Sequence, residues 1–129
     1  MKLTIHGHVP SKKNSKRLVY AGHRPVLISS KAYMAWHTVA SYELASQVKG
    51  SAQRIALSGP HEVSATIFAA TRRKEDLSNK IESLMDLLVD NFVLTDDNWT
   101  EVPRVHIFYG GYDKSNPRAE IEIVKVKGA

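Results

Sequence analysis

The chain has 129 residues, no cysteine, and hydrophobic residues at 43% of its positions. These values predict one folded domain over residues 1–129 and exclude a disulfide scaffold, a thiolate zinc centre and a disordered chain. No apolar run approaches the roughly 18 residues of a membrane span, and the N-terminus lacks the pattern of a signal peptide. The sequence therefore predicts a cytoplasmic protein without a membrane partner.

The first half of the chain predicts a hairpin and a helix after an opening strand. Alternation over residues 2–9 predicts a strand with Leu3, Ile5 and Val9 on one side. Residues 18–28 read as two short strands around a turn at AGHR. Ser29 or Ser30 is then expected to cap a helix that ends near Val48.

The second half alternates between strands and one more helix. A strand is predicted over residues 62–70, a helix over 76–90, and closing strands over 102–110 and 118–126, with a turn-rich segment between them. Strands mixed with two helices predict an α+β fold, in which a small mixed β-sheet is flanked by two helices.

Charge is distributed unevenly along the chain. The net charge is +5, yet residues 75–101 hold eight acids and a single base, Lys80. The rest of the sequence carries 17 bases against five acids, and residues 1–42 contain no acid. Such a basic surface attracts polyanions, and nucleic acid is the commonest one in a cell. This pattern favours nucleic-acid binding over the alternative, a soluble basic protein with no specific partner.

The acids of residues 75–101 surround the second predicted helix. Asp76 lies at the helix entrance, where it could be only a cap, and Glu82, Asp86 and Asp90 are each interpreted as part of a solvated surface. The doublet Asp96–Asp97 ends the loop after the helix. If that loop folds back, Asp97 approaches Asp76, and converging carboxylates are tolerated when a divalent cation lies between them. Oxygen ligands of this kind suit Mg²⁺ or Mn²⁺, which support phosphodiester hydrolysis.

Three short motifs in this window resemble those of the RusA family of Holliday junction resolvases. The family has an Asp-x-Asp-Asn helix start, a downstream Asp-x-Leu and an Asp-Asp pair before the next strand. Here DLSN at 76–79, DLL at 86–88 and DD at 96–97 occur in the same order and at matching spacing. The segments VPSKKNSK and SKAYMAWHTVA also resemble the basic opening and the first helix of the family, so the resemblance covers nearly the whole chain.

The resemblance implies a homodimeric endonuclease that cuts four-way DNA junctions symmetrically with Mg²⁺ or Mn²⁺, in a bacterial host or encoded by a prophage. Asp76 and Asp97 match the first and last of the family's metal-binding aspartates. Ser78 stands where the family has a second aspartate, and Glu82 stands where it has a lysine. These departures leave Asp96, Glu82 or Glu75 to complete the metal shell, and Lys80 to contact the scissile phosphate. The predicted catalytic set is therefore Asp76, Asp97, Lys80 and Glu82, because Lys80 and Glu82 keep both charge types within one helical turn.

Basic residues expected to bind DNA lie in two segments. They are Lys12, Lys13, Asn14, Lys16 and Arg17 in the first, and Arg72, Arg73 and Lys74 in the second. The second segment could instead pair with Glu75 and Asp76. Trp99 could stack on a base, although an aromatic packed to fix its loop is favoured. His6 and His8 share a strand face without a third ligand, so zinc is not expected.

Two other functions stay open at this stage. The fold and the basic face could belong to a protein that binds branched DNA without cutting it, because Ser78 is a poor metal ligand. A nuclease that prefers flaps or forks over four-way junctions is the other alternative.

Overall fold

Eight elements follow one another in the computed structural model, which describes residues 1–11, 16–48 and 56–126. They are β1 (Lys2–His6), β2 (Lys16–Ala21), β3 (Arg24–Ser29), α1 (Lys31–Val48), β4 (His61–Ala69), α2 (Leu77–Asp90), β5 (Arg104–Tyr112) and β6 (Arg118–Lys125). The two helices and the mixed strand pairing confirm the predicted α+β class. Neither helix is long and apolar enough, within these residues, to cross a membrane.

The main sheet has four strands in the order β1-β6-β4-β5. β6 runs antiparallel to both of its neighbours, whereas β4 and β5 are parallel. Parallel neighbours need a crossover connection, and α2 lies in the connection between β4 and β5. The start of α2 is therefore reached directly from the end of β4, beside the edge strand β5.

Both helices pack against the same face of this sheet. Alternate residues of the strands share one core with Ala40 and Leu44 of α1 and with Leu84 and Leu88 of α2. The strand residues of this core are Leu3, Ile5, Val63, Ala65, Ile67, Ala119, Ile121 and Ile123. Because successive side chains of a strand point to opposite faces, the other face carries the polar residues.

The hairpin of β2 and β3 forms a second, two-stranded sheet. Its predicted turn is confirmed, and Gly22 adopts a φ of 66°, which glycine tolerates without steric cost. The paired residues Leu18 and Leu27 are 55% and 66% exposed. Ser30 caps α1 as predicted, since its Oγ accepts a hydrogen bond from the N–H of Tyr33 at 3.1 Å.

Several strand boundaries differ from the sequence-based prediction, and those of β1 and β5 bear on the site. β1 ends at His6, because Gly7 adopts a φ of 100° and turns the chain out of the strand. β5 continues to Tyr112, so Gly111 and Tyr112 belong to the strand rather than to the predicted turn-rich segment. This shift of β5 toward the C-terminus places both Tyr109 and Tyr112 in the strand, beside the β4–α2 connection.

Candidate nucleic-acid and metal site

The β4–α2 connection carries three exposed cations, Arg72, Arg73 and Lys74. The ion pairs of the described residues include none between these three and Glu75 or Asp76. Instead, the guanidinium carbon of Arg72 lies 4.8 Å from the centroid of the Tyr112 ring. The alternative in which these cations merely neutralise the adjacent acids is therefore not what the structure shows.

A cleft of about 380 Å³ opens at the start of α2. It is lined by Pro10, Ser11, Arg73, Lys74, Glu75, Asp76, Asn79 and Lys80. Asp76 is the N-cap residue by its extended backbone, but its side chain makes no capping hydrogen bond. The carboxylate of Asp76 is thus not used to satisfy the helix terminus and remains exposed at the rim of a cationic cleft.

Lys80 was predicted to contact the scissile phosphate, but the structure shows that it is buried. Only 3% of the residue is exposed, and Nζ donates hydrogen bonds to Glu75 Oε1 at 2.7 Å and to the carbonyl oxygen of Val9 at 2.5 Å. Position 80 falls on the inward side of α2, three residues after the partly buried Leu77. The ammonium group therefore lies at the floor of the cleft, already bound by protein oxygens.

Glu75 joins Lys80 to His8. Its second carboxylate oxygen lies 2.9 Å from His8 Nε2. Partial burial would raise the pKa of Glu75, but the hydrogen bond and charge of Lys80, aided by His8, bring it below the ordinary value. His8 thus belongs to a network with Glu75 and Lys80 that the sequence did not predict.

Ser83 makes a second buried link between α2 and the N-terminal segment. It is fully buried, and its Oγ donates to the carbonyl oxygen of Pro10 at 2.6 Å. Lys80 and Ser83 together hold residues 9–10, the segment that leads into the basic loop, against α2. Sequence reasoning missed this role, although two polar residues three apart beside the apolar stripe of a helix are a signal that such a contact exists.

Local hydrogen bonds fix the doublet Asp96–Asp97. The N–H of Asp97 donates to Asp96 Oδ1 at 2.7 Å, and this hydrogen bond lowers the pKa of Asp96 below its ordinary value. Partial burial raises the pKa of Asp97, and the carboxylates of Asp96 and Asp86 raise it further. Asp97 therefore lies in a region of accumulated negative charge that a cation would relieve.

The predicted ligands Asp76, Asp96 and Asp97 are not gathered into one shell. Among the described residues, no three Asp, Glu or His side chains lie close enough to hold a metal ion. The helix residue whose charge acts on Asp97 is Asp86, which lies ten residues, or about 15 Å along the axis, beyond Asp76. The sequence interpretation of Asp86 as surface charge missed this proximity.

Two carboxylates nevertheless fit the requirements of Mg²⁺. This ion keeps several water ligands and is commonly held by one or two carboxylates together with phosphate oxygens of the substrate. The doublet supplies hard oxygen donors of that kind, and Asp97 gains stability as an anion when a positive charge is near. Glu82 lies exposed on α2, outside the cleft.

The remaining predicted residues have different outcomes. Lys12, Lys13 and Asn14 lie outside the described residues, as does the side chain of Lys16. Arg17 is half-buried on β2. Trp99 is 85% exposed, so the expectation that it packs to fix its loop is wrong. The physical reason is that Asn98 fixes this turn instead, since its side-chain oxygen accepts the N–H groups of Thr100 and Glu101.

An exposed cationic connection beside a cleft with an open carboxylate is typical of a surface that contacts phosphates. The family model of endodeoxyribonuclease RusA matches residues 8–124 of the 129. The chain therefore belongs to the RusA family, whose members are endonucleases of Holliday junctions, and the resemblance seen in the motifs is confirmed. No curated protein matches the chain.

Proposed function

We propose that the protein is a metal-dependent endonuclease that cuts four-way DNA junctions symmetrically as a homodimer. One observation carries this proposal most directly. Asp76 keeps its carboxylate out of the helix cap and presents it to a cleft whose rim holds Arg73 and Lys74. A nuclease needs this combination, because the cations bind a phosphodiester while the carboxylate takes part in its hydrolysis.

The metal ligands proposed are the adjacent carboxylates Asp96 and Asp97, whereas Asp76, which the structure does not bring to them, is proposed to act at the cleft. When bound, Mg²⁺ or Mn²⁺ supplies an acidified water molecule and a positive charge beside the phosphodiester. Partial burial raises the pKa of Asp97, the neighbouring carboxylates raise it further, and a bound cation would offset this repulsion. Asp86, whose charge acts on Asp97, adds to the negative potential of the same region.

The cationic side chains would bind and orient the strand. Arg73 and Lys74 lie two to three residues before Asp76, so a phosphate held between them lies beside the cleft. Lys80 acts indirectly. Its hydrogen bond to Glu75 holds the backbone that carries Asp76 in place. In this proposal Lys80 is a positioning residue rather than a direct phosphate ligand.

Symmetric cutting requires two active sites with a fixed relationship. A two-fold dimer provides them, and a junction with two equivalent strands matches that symmetry. The homodimer is therefore proposed together with the substrate.

The test is incision of a synthetic four-way junction with Mg²⁺ and with Mn²⁺. We expect paired nicks on two opposing strands from the wild type, and a loss of at least 100-fold in Asp76→Asn with junction binding retained. Glu122→Gln, an exposed carboxylate on the polar face of β6, is the matched control and should cut normally. Tight binding by the wild type without cutting in either metal would instead support a non-catalytic branched-DNA-binding protein. Faster incision of flap or fork substrates would identify those as the preferred DNA.

A further inference from the structure

Tyr109 and Tyr112 face the same side of the sheet because of a bulge in β5. Tyr109 is opposite Ile67 and Tyr112 is opposite Ala69, while the intervening pair is Phe68 with Gly111. Gly110 is the extra residue that the ladder skips. In a regular strand, residues three apart point to opposite faces, so the bulge alone brings the two tyrosines to one side.

The two glycines are what makes this bulge possible. A Cβ on Gly110 would lie 2.7 Å from the Phe68 ring and from the Thr66 methyl group, closer than side-chain carbons approach. Gly111 adopts a φ of 119°, a conformation that other residues rarely adopt. The glycines of the segment YGGY thus allow both tyrosine rings to lie on the same side of the sheet. Bulges of this kind are common next to active sites.

A groove of about 330 Å³ lies on that side of the sheet. Its walls are Arg72, Arg73, Lys74, Glu75, Leu77 and Tyr109. Tyr109 is 58% exposed, so most of its ring is available for contact. Tyr112 is 40% exposed and stacks under the guanidinium of Arg72. The groove therefore combines the ring of Tyr109 with three cations, of which Arg72 is stacked on Tyr112.

This combination matches one chemical group, a nucleotide whose base is not paired. Aromatic rings and arginine planes stack on any base, and neighbouring cations bind its phosphate. A base inside a duplex is stacked between its neighbours and cannot reach such a groove without the cost of unpairing. At the branch point of a four-way junction the bases are paired but can lose a stacking neighbour, so one of them unpairs there at a lower cost than inside a duplex.

We propose that this groove binds one unpaired nucleotide of the DNA substrate, with its base stacked on Tyr109 and its phosphate held by Arg73 and Lys74. The assignment rests on the proposed function, because Lys74 lies two residues before Asp76 and the bound nucleotide would adjoin the cleft. It adds a means of selecting branch points, where a base unpairs more easily than inside a duplex, independently of the basic charge that attracts any DNA.

The experiment measures binding without cutting. A four-way junction carries the fluorescent base 2-aminopurine at the branch point, and the protein is added in EDTA so that no strand is cut. Binding by the wild type should lower the emission, because stacking quenches this base. Tyr109→Phe should keep the quenching, whereas Tyr109→Ala should lose it and bind the junction about tenfold or more weakly. Tyr20→Ala removes a tyrosine of the hairpin that is 68% exposed, somewhat more than Tyr109, and should behave as the wild type.

A second comparison separates stacking from charge. Lys74→Ala should weaken binding to the junction and to plain duplex by the same factor, whereas Tyr109→Ala should weaken junction binding selectively. Tyr109→Ala with wild-type affinity and wild-type quenching would overturn the groove assignment. A wild type that shows quenching dependent on Tyr109 but cuts no junction in either metal would refute the proposed catalysis alone.

Discussion

Lys80 and Glu75 form an ion pair at the start of α2, with Nζ and Oε1 2.7 Å apart. The lysine side chain is 4% exposed and the glutamate side chain 31%, so the pair runs from the protein interior to the cleft wall. The same ammonium group also binds the carbonyl oxygen of Val9, 71 residues earlier in the chain. One buried cation thus joins the N-terminal segment, the helix start and the residue that precedes Asp76.

Replacing Lys80 tests whether its role is positioning. Lys80→Ala should lower the free energy of unfolding by about 2–4 kcal/mol, because a buried pair is broken and the oxygen of Val9 loses its donor. Urea denaturation measures this change. Lys74→Ala, an exposed lysine six residues earlier, should change stability by no more than about 0.5 kcal/mol. If Lys80→Ala kept full stability yet lost all cutting, Lys80 would act on the phosphate directly.

The bulge of β5 predicts a stability cost at Gly110. Gly110→Ala should destabilise the protein by about 1–3 kcal/mol, because the added carbon would overlap the Phe68 ring at 2.7 Å. Thermal denaturation gives the comparison with Gly22→Ala, where no atom lies within 4 Å and only the positive φ opposes the change. We expect about 1 kcal/mol for Gly22→Ala. Equal effects at the two positions would show that the bulge accommodates a side chain.

The cations of the β4–α2 connection should determine how salt weakens DNA binding. Each phosphate contact contributes about 0.9 to the slope of log affinity against log salt concentration. Arg73→Ala and Lys74→Ala should therefore each reduce the slope by about one, measured by fluorescence anisotropy over a salt series. The control is Lys2→Ala. Lys2 lies on β1, in the main sheet away from this connection, and its replacement should leave the slope unchanged. An unchanged slope in both connection variants would remove them from the DNA-binding surface.

Acid should weaken the β5–β6 turn through Asp113. The hydroxyl of Ser115 holds the pKa of Asp113 below its ordinary value, and Arg118, 3.0 Å away, adds to the effect. A carboxylate with a lowered folded-state pKa stabilises the fold above its unfolded pKa of about 3.9 and loses that contribution as pH falls through the folded value. In unfolding experiments from pH 6 downward, Asp113→Asn should therefore lose less stability than the wild type does below about pH 4. Parallel curves for the two proteins would contradict this role.

Much of the fold was predictable because its signals are local. Alternation in β4 predicted the burial of Val63, Ala65 and Ile67, and the helical spacing in α2 predicted that of Leu84 and Leu88. The serine cap of α1 and the turn at Gly22 were predictable for the same reason. In each case a residue's environment follows from its neighbours in the chain.

The candidate site was predictable only in part. The charge pattern and the motifs identified Asp76, the aspartate doublet and the cations before the helix. The burial of Lys80 was not foreseen, because a lysine is ordinarily solvated and its partners here include a residue 71 positions away. The exposure of Trp99 was predicted incorrectly, because Asn98 rather than Trp99 holds that turn.

The sequence by itself determined the class of protein: an α+β nuclease-family chain with a basic surface and one acidic segment. Periodicity, charge count and motif order establish these properties, and none of them depends on which distant residues meet. Three features were decided only by the tertiary structure. Lys80 is buried and holds the start of α2 in place, and the charge of Asp86 acts on Asp97. The bulge at Gly110 places Tyr109 and Tyr112 on the same side of the sheet. The physical reason is that burial, charge interaction and strand register arise from contacts between segments far apart in the chain.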